Sequence, residues 1–457
     1  MKIGEVLTLR IEELSPRGYG VARADGEELS VQGTLPGDRI QARVTRRQRG
    51  KAEGRLVKME AAGPDRVLPR CRHFGPCGGC SLQHMGYPAQ TQWKRMVLEE
   101  TLRREGGFER LPDTEVIPME DPWAYRSKIE FTFSQEGDRI TLGFHERGSF
   151  QRIVDIVRCE IAPPQVSRLL EAVKGAAQRS GLKAYNPKIH QGFWRYAVVR
   201  ASQTSGELML VVVTNDGPAE PLQEMAREIP REVPELKSIY WGVSTKVSDV
   251  AVAEQLTHLA GPEFLEDRVG GLKFEMGPTE FVQPNLSLAA RVYEAIRARA
   301  GLTGREAVYD LYCGIGLIAL SLAAEARVVY GVESDRRNVD CAQRNAQLNG
   351  ISNAVFLWGR LEDLLKNRAL FRNGPRPEVV VLDPPRAGLH PEVVGPLLEA
   401  GVDRLLYLSC NPSSLSRDLK GLRRRDPRLT LESVQLFDFF PHTSHMEVLV
   451  SLRRAAH

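Results

Sequence analysis

The chain contains no apolar run approaching the roughly 18 residues a membrane-crossing helix requires. Its opening residues, MKIGEVLTLRIEE, carry acids early and hold no apolar signal core. The expected compartment is therefore the cytoplasm, with no membrane partner. Cysteine is scarce: seven in 457 residues, an odd count that does not suit a disulfide framework in a reducing compartment. A strong net charge is also missing, and at +4 the overall balance says little about partners. No internal repeat or low-complexity segment is present. Hydrophobic content of 42% and charged content of 26% exclude wholesale disorder. The length suggests roughly three domains at about 150 residues each.

Residues 1–60 read as short strands (5–11, 20–23, 38–45, 51–57) separated by Ser15-Pro16-Arg17-Gly18, Asp25-Gly26 and Leu35-Pro36-Gly37-Asp38. Such a series predicts a small OB-like barrel. Between residues 43 and 58 the chain carries seven basic residues and one acid, Glu53. A solvated edge strand accounts for such a run; the density of arginine (Arg46, Arg47, Arg49) favours a nucleic-acid surface. Residues 61–270 mix strands (128–134, 197–202, 208–214) with helices (89–105, 164–179, 219–229), an α+β middle domain. From 271 to 457 strands and helices alternate: strands at 307–312, 328–333, 354–357, 379–383 and 404–409, helices between them, and a closing hairpin at 429–437 and 447–452. That alternation predicts an α/β domain, a parallel sheet covered on both faces.

Asp310-Leu311-Tyr312-Cys313-Gly314-Ile315-Gly316 leaves a strand and opens a helix. Glycines there let a ligand approach the backbone beside a helix N-terminus. Glu333, ending the next strand, suits the two hydroxyls of a ribose. Gly314-x-Gly316-x-x-Ala319 also fits a relaxed dinucleotide fingerprint, so NAD and an unliganded turn are alternatives. Asp310 would repel a pyrophosphate, which favours S-adenosylmethionine, a ribose ligand without phosphate. Two further strand ends share this edge. Asp383-Pro384-Pro385-Arg386 brings a carboxylate, a pattern also found in amino-group methylases. Ser409-Cys410-Asn411-Pro412 brings a thiol whose neighbouring helix is expected to lower its pKa. A thiolate adding to carbon-6 of a pyrimidine makes carbon-5 nucleophilic; a base must then remove the carbon-5 proton. His442, His445 and Glu447 are the candidate bases, and a histidine's ordinary pKa suits that work.

Cys71-x5-Cys77-x2-Cys80 gathers three thiols in ten residues, and Cys159 is the candidate for a fourth. The spacing suits an iron–sulfur cluster; zinc is the alternative, with His73 and His84 nearby.

Taken together, C-x5-C-x2-C, DLYCGIG, DPPRAGL, SCNP and FPHTSHME resemble the RNA uracil-5-methyltransferases that carry an N-terminal TRAM domain and a [4Fe–4S] cluster. The resemblance covers nearly the whole chain. It implies a TRAM barrel, a central iron–sulfur domain and a class I, Rossmann-like S-adenosylmethionine-dependent methyltransferase domain. It further implies Cys410 as nucleophile and Glu447, rather than a histidine, as base. Gln283, Tyr312, Glu333 and Asp383 become cofactor contacts, and Cys71, Cys77, Cys80 and Cys159 cluster ligands. The implied partner is RNA, 23S rRNA ahead of a tRNA T-loop, with no obligate protein partner. Two positions depart from the pattern. Many relatives carry Asn where this chain has Leu317, and Asn or Asp where it has Gly359-Arg360. An amino-group methylase would leave Cys410 without a role, and a non-enzymatic iron–sulfur RNA sensor would bind no S-adenosylmethionine.

Overall fold

Along the first sixty residues side chains alternate between a closed interior and solvent. In the computed structural model, which describes residues 1–455 except 25, 49, 248, 249, 367, 368 and 373, this alternation builds a six-stranded sheet. Its strands are β1 (Val6–Arg10), β2 (Glu13–Leu14), β3 (Gly20–Ala24), β4 (Glu27–Val31), β5 (Arg39–Gln48) and β6 (Lys51–Ala61), in the order β1-β5-β6-β4-β3-β2. Ile40, Ala42 and Val44 of β5 point into a core with Ile11, Ala22, Leu29, Val31 and Ala52. Arg39, Arg43 and the end of the strand face water. Of the basic run, Arg47 is bonded to Glu27 at 3.0 Å, and Arg49 lies outside the described residues. Arg43 and Arg55 are directly opposed across β5 and β6.

Helix α1 (Tyr87–Arg104) is followed by β7 (Thr114–Ile117), β8 (Lys128–Glu136), β9 (Arg139–His145), β10 (Ile153–Asp155), α2 (Gln165–Arg179), β11 (Trp194–Ala201), β12 (Leu208–Thr214), α3 (Glu220–Glu232), β13 (Leu236–Val243) and β14 (Gln255–Ala260). β8 to β14 form a seven-stranded sheet ordered β10-β9-β8-β11-β12-β13-β14. β11 and β12 are buried throughout, so their near-continuous apolar sequences record two covered faces.

A hairpin, β15 (Leu265–Val269) and β16 (Leu272–Met276), and helix α4 (Leu286–Ala300) lead into the alternating region. There the chain forms β17 (Ala307–Leu311), α5 (Leu317–Ala323), β18 (Val328–Glu333), α6 (Arg336–Leu348), β19 (Ala354–Trp358), α7 (Leu361–Lys366), α8 (Ala369–Arg372), β20 (Val379–Leu382), α9 (Pro391–Glu399), β21 (Arg404–Ser409), α10 (Pro412–Arg425), β22 (Leu429–Phe437) and β23 (Glu447–Arg454). The sheet runs β19-β18-β17-β20-β21-β23-β22-β7. β17 to β21 are parallel, and the β22–β23 hairpin is antiparallel as expected. The edge strand β7, from far upstream, pairs parallel with β22 and was not anticipated.

The chain divides into two compact units. One comprises Met1–Val97, Phe144–Val154 and Phe440–His445; the other comprises Leu98–Gly143, Asp155–Phe439 and the chain from Met446 on. Among the described residues no helix is long and apolar enough to cross a membrane.

Candidate active site

β17 delivers Asp310, fully buried, and then the turn at Tyr312, whose φ of 72° is a strained value for a non-glycine residue. The N–H groups of Tyr312 and Cys313 both donate to the Val332 carbonyl, at 2.9 and 3.0 Å, which holds that turn. Gly316 (φ 84°) is required by packing: a Cβ there would meet Phe356 at 2.8 Å and Ala342 at 2.9 Å. Gly314 (φ 55°) instead faces open space, leaving room for a ligand against the backbone. Glu333 is fixed beside it. Its Oε2 accepts from Gly314 N–H at 3.0 Å, and its Oε1 accepts from Ser334 N–H at 2.7 Å and Asp335 N–H at 2.8 Å. Asp310 Oδ2 accepts from Ala319 N–H at 2.9 Å, while its Oδ1 has no partner. Burial, with Asp383 and Glu333 adding repulsion, pushes the Asp310 carboxyl up to about 8.

Asp383 follows β20 directly. Gln283 Nε2 donates to its Oδ2 at 3.4 Å, and burial raises its carboxyl to about 7. Glu447, 4% exposed at the start of β23, is pushed well above the carboxylate range by burial and by Asp383. Cys410 follows β21, just before Asn411, the N-cap of α10. Its thiol is raised to about 11, first by burial and then by Glu447, with Arg386 opposing and Asp383 adding to the rise. This corrects the expectation that the helix terminus lowers its pKa. Burial and two buried acids outweigh one helix N-terminus. The fold thus brings Gln283, Asp383, Cys410 and Glu447 to the carboxyl edge of one sheet, next to the turn carrying Tyr312 and Glu333.

The histidines are placed differently. His442 exchanges bonds with Gln90: its N–H donates to Oε1 at 2.9 Å, and its Nδ1 lies 3.2 Å from Nε2. Its carbonyl accepts from Ser81 and Leu82, both at 2.9 Å, so it organises the N-terminal unit. His445 is exposed in the same unit. Leu317 is buried at the start of α5, and Arg360 is exposed 3.6 Å from Glu362. Sequence reasoning missed Asp418, which accepts from Leu389 N–H at 2.7 Å and Tyr407 Oη at 2.8 Å. It thereby ties the loop after Asp383 to α10. Asn411 Nδ2, donating to Arg386 carbonyl at 3.0 Å, does the same. Neither has a local sequence signal, because each partner in that loop lies more than 20 residues away.

Cys71, Cys77 and Cys80 are half-buried thiols in one loop of the N-terminal unit; Cys159 belongs to the other unit. Gly79 N–H points at Cys77 Sγ (3.4 Å), and Arg147 donates to the carbonyls of Cys77 and Cys80. Burial raises the Cys77 thiol, and Cys71 adds to the rise. Cysteine thiols, one of them with a backbone N–H aimed at its sulfur, are the right donor chemistry for iron–sulfur ligation. Among the described residues, however, no three Cys, His, Asp or Glu side chains are gathered closely enough to hold a metal ion.

A family model described as tRNA (Uracil-5-)-methyltransferase matches residues 265–455, the region carrying this sheet edge, and a TRAM domain model matches residues 1–57. An uncharacterized RNA methyltransferase of Halalkalibacterium halodurans is 35% identical over 98% of this chain and 97% of its own length. The chain belongs to the RNA uracil-5-methyltransferase family. Another relative, an uncharacterized RNA methyltransferase of Caldanaerobacter subterraneus, is 34% identical with both chains fully covered. Among solved structures, the tRNA (uracil-54, C5)-methyltransferase of Pyrococcus abyssi in complex with S-adenosyl-L-homocysteine is 27% identical. It superposes with a TM-score of 0.77 over 98% of this chain and 100% of that one. As a family member the chain is an S-adenosylmethionine-dependent RNA (uracil-5-)-methyltransferase with an RNA-binding TRAM domain.

Proposed function

We propose that the chain methylates carbon-5 of one uridine in large-subunit rRNA through a covalent adduct to Cys410. The observation that carries the chemistry is the convergence of a thiol, Cys410, and two buried acids, Glu447 and Asp383, on one another's charge. Gln283, Tyr312, Glu333 and Asp383 line the S-adenosylmethionine site in this reading, and the cofactor supplies an electrophilic methyl group there. Cys410, once its proton has passed to solvent, bonds as thiolate through Sγ to carbon-6 of the uracil, and the carbon-5–carbon-6 π pair moves toward O4. Carbon-5 then takes the methyl group, and the electron pair of the broken sulfur–methyl bond stays on the departing sulfur. Glu447 removes the carbon-5 proton, the double bond re-forms, and Cys410 leaves as thiolate.

The rRNA assignment rests on the joint presence of a TRAM barrel and the four-cysteine pattern. A tRNA T-loop uridine is the second reading, favoured by the likeness to the Pyrococcus enzyme. Mass spectrometry of rRNA and tRNA from a strain lacking the gene tests both: the nucleotide that loses a methyl group is the target. Cys71, Cys77, Cys80 and Cys159 would hold a [4Fe–4S] cluster with a structural or RNA-positioning part, since methyl transfer needs no redox step. Iron and sulfide contents of anaerobically purified protein decide this; stoichiometric zinc in a colourless protein rejects it.

A further inference from the structure

Arg200, one residue before the end of β11, has only 1% of its surface exposed, and its Nε has no hydrogen-bond partner. Its Nη2 donates to the backbone carbonyl of Glu280 at 2.6 Å. A buried guanidinium so sparsely satisfied does little for stability, because an apolar side chain of similar size at such a site is often neutral or stabilising. What it does hold is the segment 277–285 between β16 and α4, which has no regular structure of its own. Backbone groups in such a segment must be satisfied from outside. Ser127 supplies two more bonds. Its N–H donates to the Pro284 carbonyl at 2.8 Å, and its hydroxyl to the Gln283 carbonyl at 3.3 Å. Ser127 immediately precedes β8 and lies beside Arg200: Arg200 pairs with Lys128, and Ala201 N–H donates to Ser127 carbonyl at 2.8 Å. Two adjacent strand ends therefore clamp the segment on both sides of Gln283, whose amide reaches Asp383.

We infer that Arg200 and Ser127 are positioning residues that aim Gln283 at the cofactor. The inference rests on the reading of Gln283 as an S-adenosylmethionine contact. The test is Arg200→Met in the full-length enzyme, measuring S-adenosylmethionine affinity by calorimetry alongside RNA affinity and thermal midpoint. A positioning role weakens cofactor binding about five- to tenfold, the loss of one charge-assisted restraint. It leaves RNA affinity and the thermal midpoint unchanged or raises the latter. Arg200→Lys restores part of the affinity. In a cycle with Gln283→Ala, the double variant binds cofactor no worse than Gln283→Ala alone, because both act through the same contact. Ser127→Ala gives a smaller loss in the same direction and carries the test if Arg200→Met does not fold. Unchanged cofactor affinity with a lowered thermal midpoint makes Arg200 a structural residue and overturns the inference, as does full additivity with Gln283→Ala. If Gln283→Ala itself binds cofactor normally, the assignment of Gln283 is at fault, and the clamp has no function to serve.

Discussion

Cys410 and Glu447 act at different moments of the proposed reaction, and each leaves a different trace when removed. Cys410→Ala should abolish methylation and every covalent RNA adduct, while cofactor and RNA still bind. Glu447→Gln should add and methylate but fail to release, accumulating a methylated protein–RNA complex on a denaturing gel; normal turnover by that variant would return the base to another group. The pH profile follows from the same neighbours. With the thiol held at about 11 and Glu447 also raised, the reactive ionised forms grow with pH. Single-turnover methylation should therefore keep climbing on the alkaline side of neutrality, and a plateau below neutral pH would contradict this. Glu333→Ala should weaken S-adenosylmethionine roughly tenfold, since a carboxylate preset by three backbone N–H groups is ready for a ribose. The placement of Cys410, Asp383 and Glu333 at strand ends was legible because an apolar run announces each strand. The direction of the thiol's pKa was not, because it is set by burial and by Glu447, 37 positions away and on another strand. The spacing preferred a histidine as base; the bond between His442 and Gln90, 352 positions distant, was not legible in it.

In the barrel, the useful unit is the strand pair rather than the basic run. Arg43 and Arg55 stand directly opposite each other across β5 and β6, and like charges so placed repel. An anionic partner relieves that repulsion. Replacing both by Ala should weaken RNA binding and lower the slope of log affinity against log salt by roughly 0.7–0.9 for each phosphate no longer neutralised. S-adenosylmethionine affinity should not move, and an unaltered salt slope would make this pair a solvated edge. Arg47→Ala should matter less for RNA, because its guanidinium is committed to Glu27. The run of arginines was legible in composition; that Arg47 is committed to Glu27 depends on a strand 20 residues earlier. β7 was equally hidden. Four residues, Thr114–Ile117, are too few for a period, and their partner β22 lies more than 300 positions away.

Across the whole molecule, the buried acids make stability depend on pH. In the folded chain Asp310 and Asp383 keep their protons up to about 8 and about 7, whereas an ordinary aspartate ionises near 3.8. Between those values the folded state binds more protons than the unfolded one, so stability falls as pH rises and levels off above the folded pKa values. The thermal midpoint of ligand-free protein should therefore decline from about pH 5 to about pH 8. Asp310→Asn should flatten that decline, and a midpoint independent of pH would remove the buried-acid account. The alternating half was legible as a parallel sheet. The membership of the two compact units was not, because 144–154 and 440–445 leave their sequence neighbours to join the barrel's unit. That routing limits what can be transplanted. Residues 265–455 look like a portable cassette, yet they begin after β7 and after Gln90. Cut out alone, the cassette would present β22 as a bare sheet edge open to self-association. It would also leave the turn at His442, five residues before Glu447, without its tether. A chimera that keeps its methylating half would need α1 and β7, and also Ser127 and Arg200 to hold the segment of Gln283.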